Sequence, residues 1–108
     1  HDTGPGHPER PARLTTAMTQ LRSTAWFDSL RRVDAAPADL AWIETVHSLP
    51  YIRRAATACR DGAPFLDTPD VTISARSFDV ATLAVGGALA LADEVIAGRS
   101  ANGFALLR

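Results

Sequence analysis

Cysteine is nearly missing: Cys59 is the single one among 108 residues. No disulfide can close within the chain, and the expectation is a reducing compartment. An excess of one charge is missing too. Eleven basic residues stand against twelve acidic ones, a net charge of −1, which leaves no field to draw nucleic acid or an anionic membrane. No apolar run reaches the ~18 residues of a membrane span; the nearest, residues 80–92, is broken by Thr82 and Gly86-Gly87. The opening residues are polar and rich in glycine and proline, unlike a secretion signal. Repeats and low-complexity tracts are absent. What is present is an ordinary apolar share of 46%, which argues against disorder. The chain reads as a cytoplasmic protein, either one small domain or a piece of a larger one.

Residues 1–11 carry three prolines and two glycines and form a loop. Pro11 suits the first turn of a helix, where its missing N–H costs nothing. From there Leu14, Ala17, Met18 and Leu21 recur at helical spacing to about Arg22. Trp26, Phe27 and Leu30 predict a helical turn packed on that helix, and residues 32–36 a short strand ended by Pro37. Asp39 starts a helix with Leu40, Trp42, Ile43 and Val46. Ser48 caps the next, whose apolar face holds Tyr51, Ile52, Ala55 and Ala56. Residues 61–70 are loop by composition. A long helix follows, with Ser74 as N-cap, Phe78, Ala81, Thr82, Val85, Leu89, Ala92 and Ile96 on one face, and Gly98 at its end. Each mid-helix glycine of Gly86-Gly87 costs roughly 1 kcal/mol against alanine, and close approach of another backbone is the expected compensation. Residues 104–108 read as a strand without a partner, so the chain is expected to be a fragment of an α/β layer architecture.

Individual motifs admit plain readings. His1-Asp2 and His7 lack the three or four converging ligands of a durable metal site, so a polar loop accounts for them. Gly4-Pro5-Gly6 has neither the preceding strand nor the lysine of a phosphate loop. Asp67 and Asp70 form a carboxylate pair of the kind used in acid–base work, but turns collect aspartates for backbone reasons as well. His47 is expected to be a buried structural histidine, and Cys59 inert.

The ordered set of segments is far more specific. Residues 1–14 follow the pattern H-x-x-G-x-x-H-P-E-x-P-x-R-L. Val46-His47-Ser48-Leu49-Pro50-Tyr51 follows V-H-x-x-x-Y, residues 66–74 form an Asp/Thr-rich loop before a long helix, and Ala84 to Ala88 reads A-x-G-G-A. Residues 102–108 are similar to the strand that leads into R-P-P-G-H-H-A. In this order and spacing the chain resembles the superfamily of histone deacetylases, acetylpolyamine amidohydrolases and acetoin utilisation proteins.

That resemblance implies the N-terminal part of an arginase/deacetylase-like three-layer α/β fold with a mainly parallel sheet, helix-rich in this stretch. Residues 1–108 are then one segment of a single deacetylase domain, without its first strand and its catalytic C-terminal part. It implies a zinc-dependent amidohydrolase acting on acetyl-lysine or acetylpolyamine-type substrates, with the catalytic histidines and the Zn2+ ligands expected beyond Arg108. For this segment the resemblance assigns no catalytic or metal-binding residue. It places His7 and Pro8 on the channel rim and Arg13 in a lower channel that serves product acetate. A guanidinium suits that role because it stays charged and can grip a carboxylate through two parallel hydrogen bonds. Asp70 matches the loop residue that accepts a hydrogen bond from the substrate, with Asp67 in reserve. The implied partners are an acetylated small-molecule or protein substrate and the remainder of the domain, with no nucleic acid and no membrane. The alternative is a non-catalytic relative that works as a helical protein-interaction module.

Overall fold

Pro11 opens the first element because a helix start leaves its own N–H groups unpaired. A computed structural model describes residues 8–107, and in it α1 runs over Ala12–Arg22, with Pro11 at its N-cap. Leu14, Ala17, Met18 and Leu21 are half-buried while the residues between them are exposed, as the apolar spacing predicts. A single 3₁₀ turn, Phe27–Ser29, packs on α1. The Arg32 guanidinium lies 5.2 Å over the Phe27 ring.

Asp39 caps α2 (Leu40–Glu44) in the expected way: its carboxylate accepts from the Ala41 N–H at 2.9 Å. The segment α3 (Leu49–Arg60) starts at Ser48, whose side chain makes no capping bond. Pro50 lies in its first turn, where the absent N–H is harmless. Ile52 and Cys59, seven residues or two turns apart, are the buried residues of α3, 3% and 4% exposed. They mark the stripe that α3 turns inward, and α3 packs on both α2 and α4.

The long helix α4 covers Ser77–Ile96. It begins three residues after the predicted cap. The Ser77 hydroxyl accepts from the Ser74 N–H at 2.9 Å, the returning half of a capping box, and the two hydroxyls lie 3.2 Å apart. At the far end the backbone follows the Schellman pattern. Gly98 takes φ +69°, its N–H bonds the Val95 carbonyl, and the Arg99 N–H bonds the Glu94 carbonyl. The expected apolar face is covered unevenly. Thr82 is buried and Phe78, Val85 and Leu89 are half-buried, but Ala81 and Ala92 are exposed and Ile96 is 83% exposed.

Gly86 has the close backbone neighbour that its sequence context predicts. A Cβ placed there would stand 1.7 Å from the Ala36 carbonyl oxygen and 2.9 Å from the Ala38 nitrogen. The same contact is stitched by the Ala38 N–H, which donates to the Thr82 carbonyl at 3.0 Å. Gly87 faces the Ala35 methyl. The residues around Ala36 thus lie directly on the α4 backbone.

The sequence predicts strands over residues 32–36 and 104–108, yet among the described residues no strand forms. The nearest thing is one antiparallel bridge, Phe65 with Thr72. A strand exists only through hydrogen bonds to a neighbour, and nothing among the described residues pairs with either segment. The expected parallel sheet accordingly does not appear among the described residues. His47, expected to be buried, is exposed.

The core is small. Among the described residues Ile52, Cys59 and Leu66 are the buried apolar ones, while Trp26, Trp42, Val46 and Phe104 are among the large apolar side chains left exposed. The accessible surface is 7711 Å² for 11.5 kDa, where a folded monomer of that mass exposes roughly 5,800 Å². The radius of gyration is 16.0 Å, against about 13 Å for a domain of this length. The described residues do not enclose a core of ordinary size.

Candidate functional site

The loop between α3 and α4 brings the two candidate aspartates into one compact turn. The Phe65–Thr72 bridge closes it at the base. The Leu66 N–H bonds the Val71 carbonyl at 2.9 Å and the Ile73 N–H bonds the Pro64 carbonyl at 3.1 Å. Inside that clasp the Thr68 N–H reaches back to the Leu66 carbonyl at 2.7 Å, a three-residue turn with Asp67 at its centre. The Val71 N–H bonds the Thr68 carbonyl at 3.0 Å, a β-turn whose central residues are Pro69 and Asp70. Asp70 therefore lies at the tip of the loop, and Asp67 in the bend just before it. Leu66 is buried and anchors the loop to the body of the chain.

Asp67 is the one non-glycine residue with a positive φ among the described residues, at +61°. Aspartate tolerates that region better than most residues, though it is sparsely populated for any of them. Its carboxylate is gripped by Arg54 of α3: Nε donates to Oδ1 at 3.1 Å and Nη2 to Oδ2 at 3.0 Å. The hydrogen bond to Asp67, followed by its charge, raises the Arg54 pKa above its ordinary value. The same guanidinium lies 5.1 Å over the Tyr51 ring, and Tyr51 stacks on His47 with centroids 5.3 Å apart. A row of groups, His47, Tyr51, Arg54 and Asp67, thus runs from the start of α3 to the loop.

Arg13 lies in the first turn of α1, exposed, and forms an ion pair with Glu9 one turn earlier. Pro8 precedes that pair and is exposed. His7 lies outside the described residues. Arg13 and Asp67 are held by different partners on different elements, so no direct bond joins α1 to the loop through these two side chains. Among the described residues no group of three or more histidines, cysteines, aspartates or glutamates comes together to hold a metal ion.

A second charged cluster lies at the C-terminal end of α4. Glu94, with 13% of its side chain exposed, receives Arg99 Nε at 2.9 Å and lies 2.7 Å from Arg31 Nη2. The Arg31 contact is close but poorly aligned, so Oε2 gains a charge neighbour rather than a directed hydrogen bond. A carboxylate near a helix C-terminus opposes the helix dipole, and two guanidinium groups offset that here.

No pattern in the sequence singles out Arg54. Its partner is thirteen residues away in a loop, and no periodic pattern links the two. The available signal was weak: an arginine one turn after Tyr51 on the α3 surface.

The profile of the histone deacetylase domain matches residues 7–108. A protein of Archaeoglobus fulgidus named a probable deacetylase is 37% identical over 110 residues, covering all of this chain and 30% of that protein. An uncharacterized protein of Synechocystis sp. is 38% identical over 106 residues, covering 94% of this chain and 34% of its own length. The chain thus spans about a third of the length of these curated relatives. No solved structure matches it.

Proposed function

Because the chain belongs to the histone deacetylase family, we propose that it forms one part of a zinc-dependent amidohydrolase that removes acetyl groups from acetyl-lysine or acetylpolyamine-type substrates. The observation that carries this reading is the family match along residues 7–108. In this proposal residues 1–108 are the N-terminal segment of a single deacetylase domain of the arginase/deacetylase fold, whose parallel sheet is built mostly from other parts of the protein. The exposed apolar side chains and the small core support it, since such surface is normally covered.

The segment's own residues have channel roles. Pro8, with His7, forms the rim. Asp70, at the tip of the loop, accepts a hydrogen bond from the amide or backbone of the substrate. Arg13 holds product acetate, a task that suits a permanently charged, two-pronged donor. Bound zinc would polarise the amide carbonyl and activate water. The residues described here do not make a site for it, and its ligands belong to the rest of the domain. On this reading the 108-residue chain alone is inactive. A cytoplasmic location is part of the same reading, supported by a lone cysteine with no disulfide partner in the chain; no helix among the described residues is long and apolar enough to cross a membrane.

The test is hydrolysis of an acetyl-lysine peptide and an acetylated polyamine by the full-length, zinc-loaded protein. Turnover of either, lowered by Asp70→Ala and by Arg13→Ala, is the expected result. An inert full-length protein that instead captures a protein partner through these helices favours a non-catalytic interaction module.

A further inference from the structure

We propose that Arg54 and Asp67 are a positioning latch: their paired hydrogen bonds fix the turn that carries Asp70, so Arg54 on α3 sets how the loop meets substrate. The inference rests on the amidohydrolase reading and deepens it by separating the roles of the two aspartates.

Three observations converge on it. Asp67 occupies the centre of a tight turn with φ +61°, a backbone state that persists only where the surroundings hold it. The surroundings that hold it are visible: both carboxylate oxygens are taken by one guanidinium at 3.1 and 3.0 Å. A two-pronged bond of this kind fixes direction as well as distance. Finally, the β-turn bearing Asp70 begins at Thr68, the next residue, whose N–H closes the Asp67 turn. A rotation at Asp67 is therefore passed straight to Pro69 and Asp70.

Arg54 is itself pre-set. Its stem rises from a helix whose Ile52 and Cys59 are buried, and its plane rests over Tyr51. The Asp67 carboxylate is engaged on both oxygens in this pairing, which makes it a positioning group for the loop. The pair is about half exposed, 55% for Arg54 and 47% for Asp67, so its contribution to global stability is small and its effect is local.

The experiment uses the full-length protein and an acetylated substrate. Arg54→Ala is expected to raise KM by roughly tenfold with kcat nearly unchanged, the pattern of a displaced binding group. Asp67→Gly, which accepts the positive φ without strain but lacks the carboxylate, should do the same. In an Asp70→Ala background Arg54→Ala should add nothing, because the latch acts through Asp70. Amide exchange at Leu66, Thr68 and Val71 should quicken in Arg54→Ala without a change in the thermal midpoint. The proposal is overturned if Arg54→Ala leaves KM and loop exchange as they were. It is equally overturned if the KM effect persists in full without the Asp70 carboxylate. A wild-type protein that hydrolyses no acyl amide sinks the amidohydrolase reading itself, whereas an active protein whose Asp70→Ala variant keeps its KM overturns the latch alone.

Discussion

Gly86 and Ala36 touch backbone to backbone: any Cβ on Gly86 would stand 1.7 Å from the Ala36 carbonyl oxygen. Alanine at position 86 gains about 1 kcal/mol of helix propensity but must push a peptide group aside. Because backbone cannot give way as a side-chain tip can, Gly86→Ala is expected to destabilise by roughly 2–3 kcal/mol net. Gly87→Ala meets only the Ala35 methyl at 3.2 Å and Leu107 Cδ2 at 3.8 Å, so its net change should stay within about 1 kcal/mol. Urea denaturation midpoints of the two variants, compared side by side in the full-length protein, check the difference. Equal midpoints would show that residues 35–38 do not lie on α4.

Gly98 tests backbone conformation alone. A Cβ there meets nothing within 4 Å, yet φ is +69°. Gly98→Ala should cost roughly 1 kcal/mol from the left-handed conformation and nothing from crowding. Gly98→Asn should recover part of that, because asparagine tolerates the region. Thermal melts of the two variants decide it.

Glu94 lies between Arg31 and Arg99 and is mostly covered. Glu94→Ala removes the shared partner of both guanidinium groups and should cost about 1–3 kcal/mol. Glu94→Gln, which retains the shape but not the charge, should fall between that variant and the wild type. Added salt should narrow the gap between wild type and Glu94→Gln. A gap that salt leaves untouched would mean the carboxylate acts through packing rather than charge.

Arg13 separates structure from function. Its ion pair with Glu9 is exposed and spans one helical turn, so Arg13→Ala should cost only about 0.5 kcal/mol of stability. Steady-state turnover should fall far more than that if the guanidinium serves acetate, and Arg13→Lys should restore it in part, a point charge replacing the fork. Activity that follows stability alone removes Arg13 from the channel.

Local chemistry was legible wherever neighbours in sequence settle the outcome. Pro11, Asp39 and Gly98 mark helix ends because capping needs only residues within one turn. The half-buried stripe of α1 follows directly from its 3.6-residue spacing. The Gly86-Gly87 pair signalled a close backbone because two glycines in a helix need compensation. Contacts across the fold were not legible. The Arg54–Asp67 and Arg31–Glu94 pairs join residues from different elements, and either arginine reads in sequence as an ordinary surface charge. Residues 32–36 and 104–107 carry strand-like composition, but pairing is a property of two segments and not of one. At Asp67 and Asp70 composition predicted a loop and left their roles open; the geometry ties Asp67 to Arg54 and sets Asp70 in the adjoining turn.

Cys59 lies on the inward side of α3, with 4% of its surface reachable from solvent. A thiol so placed reacts with an alkylating reagent only during moments when α3 lifts from its neighbours. As the chain's lone sulfhydryl, it works as an intrinsic clock for helix breathing, its labelling half-life reporting how often this part of the molecule comes apart and closes again.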